Sequence, residues 1–254
     1  MLKIFRKIRE DMLTKKSTPG APIKMSSYFK YAIGEIILVV IGILIALQIN
    51  DWNQQRIDNV NQKKMLANLR QEFIQNKMLL DKSRLVNEGS LNAGIIIMNL
   101  MGSEKEDLQK HNLDSLFYIS LSSDEYLPSS NAIEDIIQSG RMNLLNDPEL
   151  STLLSSWKSI INVLIDRDET LDNWIQREML PYLNKTISIK EMDSYGKFKW
   201  TGKSQLKKDY TSIFYDLEFE NILENMLYFY QQNKIRYDEA NTILNQLIDK
   251  TSEY

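Results

Sequence analysis

The residues that could do chemistry are few, and each asks for a setting. Gly196-KFKWT-Gly202-Lys203-Ser204 looks like a phosphate loop. That motif needs four residues between its glycines, a strand before it and a helix opening at its end, so that backbone N–H groups wrap the phosphates. Here five residues intervene, and Asp193-Ser194-Tyr195 is no buried strand. Ser155 and Lys158 fit the Ser-x-x-Lys pattern of penicillin-interacting enzymes, but the Ser-Asp-Asn and Lys-Thr-Gly triplets those enzymes also need do not occur in the sequence. Asp166, Asp168, Glu169 and Asp172 are dense enough to suggest a cation site. They fall inside a helical pattern without the glycine and turn of a calcium loop, so the expectation is a solvated face. His111 is the single histidine, stands beside Lys110, and is expected at the surface. With no cysteine and one histidine, thiolate zinc sites, iron–sulfur clusters, cysteine nucleophiles and di-iron Glu-x-x-His bundles are excluded. The expectation is a non-enzymatic chain with no catalytic, metal or cofactor-binding residues.

The elements that would position any site are helices. The 254 residues include nine Gly and five Pro, few enough to leave long stretches without a helix breaker. An apolar content of 43% supplies a core, and 26% charged residues is ordinary for a folded protein. Charge is unevenly spread. Residues 1–32 carry eight Lys/Arg against Glu10 and Asp11, a net of +6; residues 50–254 carry 23 basic and 31 acidic side chains, a net of −8. An acidic main domain argues against nucleic-acid binding.

The basic end adjoins the most apolar stretch. From Ile36 to Leu47 the run is uninterrupted, with Tyr28, Phe29 and Tyr31 before it and Trp52 after it as interfacial anchors. Tyr31 to Trp52 spans ~32 Å at the helical rise, close to the ~30 Å thickness of a bilayer's hydrocarbon. One transmembrane helix over residues 30–50 is expected, between a basic cytoplasmic tail (1–29) and an exported domain (51–254). The long tail and the absence of an Ala-x-Ala exit argue for an uncleaved signal anchor. Positive charge stays inside, so the N-terminus faces the cytoplasm. Leu2, Ile4, Phe5, Ile8 and Met12 share one side of a helical wheel, as in an amphipathic segment lying on anionic lipid. Glu35 is an ionisable residue inside the apolar helix, with Gly42 and Ala46 each about 20° from it around the axis. Gly42 and Ala46 make a small-xxx-small step, so this face is expected to contact a second transmembrane helix, of its own copy or another membrane protein.

Beyond Asn50 the pattern is helical. Met65, Leu66, Leu69, Phe73 and Leu80 keep to one stripe, and an apolar pattern resumes from Leu91 to Met101. A second helix is expected over 107–120 and a short one over 130–138. Asp147-Pro148-Glu149 gives a carboxylate cap, a proline at the first position and an acid in the first turn. The helix it opens carries a heptad-like seam of Leu150, Leu153, Trp157, Ile160, Leu164, Leu171 and Trp174, broken at Arg167, and runs to about residue 183. Residues 186–204 read as a loop with a short hairpin. A last helix is expected over 216–251, with Leu223, Met226, Leu227, Tyr230, Tyr237, Leu244, Leu247 and Ile248 on its apolar side. The fold class is therefore all-α: a single N-terminal transmembrane helix followed by an antiparallel bundle of about four long helices.

The block SYFKYAIGEIILVVIGILIALQINDWNQQR, from Ser27 to Arg56, resembles the opening of a family of Bacteroidota membrane proteins, domain-of-unknown-function family 6090. Ser130-Asn-Ala-Ile-Glu134, Ser139-Gly140 and Asn146-Asp147-Pro148-Glu149-Leu150 resemble its mid-domain signature, and Glu218-Phe219-Glu220-Asn221 is similar to the start of its final helix. The resemblance implies an anchored helical domain of unknown role; the basic N-terminal flank is what makes its expected place the bacterial inner membrane, with the C-terminal domain periplasmic. The resemblance implies no catalytic residues. The reading favoured is a scaffold or interaction module of the envelope, with the lipid bilayer and a homo-oligomeric or other membrane partner as its contacts. The alternative is a ligand-sensing module that signals through a separate membrane partner, and a polar-lined pocket inside the bundle would favour it.

Overall fold

The computed structural model describes residues 25–252, apart from 146, 199, 201 and 207–209. The amphipathic segment expected around Leu2–Met12 lies outside the described residues, as do the side chains of Tyr28 and Tyr31. The chain divides into two compact units, residues 1–59 and 60–254. Among the described residues every regular element is helical.

The first helix, α1 (Met25–Asn99), contributes to both units. Within the first unit it carries an apolar run long enough to cross a membrane, and none of that run is buried. Phe29 and Trp52 are likewise exposed. Apolar side chains that face outward along a whole helix fit a hydrocarbon solvent.

The second unit is all-helical. After α1 come α2 (Lys105–Leu108), α3 (Leu113–Ser120), α4 (Asn131–Gln138) and a 3₁₀ turn at Arg141–Leu145. Next is α5 (Pro148–Trp174), which continues through a π turn (Ile175–Met179) into α6 (Leu180–Thr186). A one-turn α7 (Ile189–Met192) and 3₁₀ turns at Asp193–Tyr195 and Tyr210–Tyr215 lead to α8 (Leu217–Lys250). The helix expected over 107–120 is divided in two. Its break at His111–Asn112 has a local cause: the Asn112 side chain accepts from the Ser115 N–H and opens α3 afresh. The π turn also has one, since Pro181 lacks the N–H that an α-helix needs there, and widening the preceding turn relieves its ring. Where a hairpin was expected after residue 186, the described residues form α7 and a 3₁₀ turn instead.

The cap read from sequence at Asp147 is made, and the structure adds a second carboxylate cap at Asp216. Asp147 accepts from the N–H groups of Glu149 and Leu150 at 2.9 and 3.0 Å. Asp216 accepts from Glu218 N–H at 2.8 Å. The expected core stripe of α1, Met65 to Leu80, is buried throughout, while on α5 Leu154 takes the buried place expected of Leu153.

Helix direction follows from the cross-links. Lys250 meets Glu149 at the start of α5, and Trp174 at its end donates to the Ile222 carbonyl, so α5 and α8 are antiparallel. Arg70 donates to the Ile248 carbonyl, while Asn87 donates to that of Tyr230, so α1 is antiparallel to α8 as well. α1 and α5 therefore run in the same direction, in contact through Phe73 and Trp157. Two parallel neighbours need a return connection, and residues 100–147 supply it.

The core is divided. One apolar cluster holds Leu66, Phe73, Leu80, Trp157, Leu164, Tyr237 and Leu244. The other holds Leu91, Ile97, Phe117, Leu171, Phe214, Phe219 and Tyr230. The apolar stripes of all three long helices lapse at one level: Ser83, Asn87 and Ser90 on α1, Asp168 on α5 and Asn233 on α8. That level is the polar layer in which the site lies.

Candidate functional site

Residues 122–130 form a strap that runs back along α1. Ser122 accepts from Ser90 Oγ at 2.6 Å, and Ser129 is held by Asn76. Seven strap residues thus cover fourteen helical ones, or ~21 Å at 1.5 Å per residue. That is ~3 Å per strap residue, close to the fully extended limit.

An extended segment inside a helical domain cannot pair its own backbone, so side chains must do it. Asn76, fully buried on α1, offers both halves of its amide to one residue. Its Nδ2 donates to the Ser129 carbonyl and its Oδ1 accepts from the Ser129 N–H, both at 2.8 Å. Glu72 Oε2 accepts from Ser129 Oγ at 2.9 Å and from the Ala132 N–H at 2.8 Å. A buried carboxylate of α1 therefore caps the N-terminus of α4, where the helix dipole favours negative charge. Toward the other end, Tyr230 of α8 donates to the carbonyls of Ser120 and Ser122 at 3.0 and 3.3 Å.

Beside the strap, the polar layer opens into a cavity of about 390 Å³. Its wall carries Asp124 and Glu125 from the strap, Asp168, Glu169 and Asp172 from α5, Ser83 and Asn87 from α1, and Tyr230 and Tyr237 from α8. Two of the carboxyls are driven in opposite directions. Burial raises Asp124, but the hydrogen bonds from Lys82 at 2.6 Å and Ser83 at 2.9 Å outweigh it and hold the carboxyl below the usual aspartate range. Burial pushes Asp168 up to about 6, against the hydrogen bonds of Tyr237 and the Tyr126 N–H, with Glu125 and Asp124 adding repulsion. Asn233 Nδ2 also donates to Asp168, at 3.0 Å. Burial and the neighbouring carboxylate raise Tyr237 far above its ordinary value, so it serves as a donor.

Asp168 corrects the expectation of a solvated acidic face. Asp166 and Glu169 are exposed, but Asp168 turns inward and is half-buried among three donors. The signal was present in the sequence: the seam of α5 breaks at Arg167, and the stripes of α1 and α8 break between Leu80 and Leu91 and between Tyr230 and Tyr237. Three breaks at one level mark a shared polar layer. His111 is exposed, as expected. Among the described residues no three His, Asp or Glu side chains are grouped to hold a metal ion.

Glu35, Gly42 and Ala46 lie exposed on α1, and a Cβ added at Gly42 would meet nothing within 4 Å. They share that exposure with the whole apolar run of α1.

Chemically the cavity can hold a cation against its carboxylates and can take up or release one proton at Asp168 in mild acid. Ser83 is spent on Asp124 and Tyr237 on Asp168, while Asn87 and Tyr230 are spent on helix and strap carbonyls.

No curated protein and no solved structure matches the chain. Residues 35–173 match the Family of unknown function (DUF6090), and that span holds the apolar run of α1, the whole strap and α5 through Asp168 and Asp172. A match over more than half of the chain settles its family: the protein belongs to DUF6090.

Proposed function

We propose that the protein is a membrane-anchored, non-enzymatic binding module of the cell envelope, with its N-terminus cytoplasmic and its helical domain periplasmic. The net +6 of residues 1–32 supports that orientation. The domain recognises a small organic cation, an amine or polyamine, in the polar layer and reports occupancy to a separate membrane partner. The observation that carries this reading is the 390 Å³ cavity with five carboxylates on its wall. Titrating spermidine into the full-length protein in detergent at pH 7.5 should raise its melting temperature in a saturable way, because a ligand that binds the native state alone stabilises it. The pair of changes Glu169→Gln and Asp172→Asn should weaken that affinity roughly tenfold. No shift, or one that the pair leaves unchanged, overturns the ligand reading.

The residue pattern Glu35–Gly42–Ala46 on the membrane helix supports the partner half of the proposal. An ionisable residue in a membrane helix is a functional hypothesis by default, and small residues let a second helix approach. The double substitution Glu35→Gln and Gly42→Ile should preserve insertion while abolishing most crosslinking from a cysteine placed at Ala46. Crosslinking equal to the parent protein would mean that the face meets lipid.

A further inference from the structure

The binding module does not use the glycine-bracketed segment after α7, which has features of its own. Phe198 and Trp200 are exposed, at 57% and 50%, and stack on each other with centroids 5.1 Å apart and planes 15° apart. Leu206 is 87% exposed. Lys197 and Lys203 are exposed beside them. Residues 195–208 hold five lysines and no acid, whereas the rest of 50–254 has 18 basic and 31 acidic side chains. Lys199, Lys207 and Lys208 lie outside the described residues and enter through their charge alone.

The base of this loop is clamped. The Tyr195 hydroxyl accepts from Asn112, and Glu191 accepts from the Ser204 N–H. Gly196 lies against the Tyr118 ring, where a Cβ would come within 2.7 Å of ring atoms. Gly202, at φ +70, takes the left-handed conformation that glycine allows. A stacked, exposed aromatic pair thus extends from a fixed base, in a short segment that also holds an exposed leucine and a local excess of lysine. Apolar area of this kind, left in water, marks an interaction site.

We infer that this loop docks on an anionic phospholipid surface, with Phe198, Trp200 and Leu206 entering the interfacial region and the lysines meeting lipid phosphates. Interfacial binding grows with buried apolar area plus attraction to anionic lipid, and aromatic rings favour the headgroup level. A nucleic acid fits less well. The two rings already cover one face of each other, and Leu206 offers no stacking surface for a base.

The test uses full-length protein held in neutral phosphatidylcholine nanodiscs and floated with added vesicles, either of phosphatidylcholine or rich in phosphatidylglycerol. The basic tail is present in every variant, so differences between variants report the loop. Wild type should be recruited to the anionic vesicles, less so as salt rises. Phe198→Ser with Trp200→Ser, and separately Lys197→Gln with Lys203→Gln, should each cut recruitment about tenfold. Leu206→Ser should cut it too, and serves if the aromatic pair fails to fold. Recruitment equal to wild type in the folded variants overturns the assignment, and so does equal recruitment to neutral vesicles. Binding of single-stranded DNA that needs Phe198 and Trp200, without vesicle recruitment, also overturns it.

Discussion

Asn76→Ala is expected to lower the stability of the helical domain by about 1–4 kcal/mol, the cost of removing a fully buried amide and leaving two part-buried backbone groups of Ser129 without partners. Neither group has an alternative in a helix or sheet, because the strap is extended and alone. The loss falls toward the low end if the strap lifts and admits water to both groups. The nearby bonds are coupled to the first two. Tyr126 donates to the Asn76 carbonyl, and Glu72 holds Ser129 and the start of α4. Released at Ser129, the strap exposes Tyr126, a ring only 1% accessible in the native fold. Urea denaturation followed by far-UV dichroism reads the stability. Amide exchange over residues 122–132 should accelerate before the rest of the domain does. A loss below about 0.5 kcal/mol, the scale of an ordinary surface change, would mean that the strap is held elsewhere.

Asp168→Asn should stabilise the domain, and the gain should depend on pH. The folded protein holds this carboxyl at about 6 against an ordinary 3.8, so between those values the native state binds more protons than the unfolded chain. Stability from this group therefore falls as pH rises through that window and reaches its full penalty above it. The displacement corresponds to about 3 kcal/mol. The amide has no charge to desolvate, and it still accepts from Asn233 while donating to the Tyr237 oxygen. The difference between variant and wild type should thus be small near pH 4 and grow to a plateau near pH 7. Asp124 and Glu88, whose carboxyls are held low, act with the opposite sign, losing stability as pH falls. Glu88 is common to both proteins and cancels in the difference, while Asp124, freed of its repulsion with Asp168, adds to the gain as pH rises. A difference that is flat with pH would mean that Asp168 titrates normally.

The helices were largely legible because their signals are local. The cap at Asp147, the stripe from Met65 to Leu80 and the apolar run from Ile36 are read within a few turns. The strap was not, since nothing in Ser122–Ser130 announces that its partners are amides and carboxylates on α1 forty to sixty residues earlier. Glu72 and Asn76 look like ordinary polar residues of an amphipathic helix until the second chain is laid beside them. Asp168 was misplaced for a related reason. A cluster of acids on one helix gives the face by periodicity alone, while burial depends on what α8 and the strap bring to it. The breaks in three stripes were visible one at a time, and their alignment needs the helices packed.

The parallel course of α1 and α5 has a consequence for how the domain is made. α5 and α8 are near in sequence and can pair as a hairpin soon after both exist. The bonds of α1 to α8 close much longer loops, at separations of 143 and 178 residues. Contacts so distant form late, because loop-closure entropy is spent before they repay it. α1 also emerges first from the ribosome and α8 last. The stripe from Met65 to Leu80 must therefore wait, uncovered on that side, until the final 34-residue helix has been synthesised. For that interval the growing chain presents an amphipathic helix with half of its core missing, and truncation within α8 leaves it so for good.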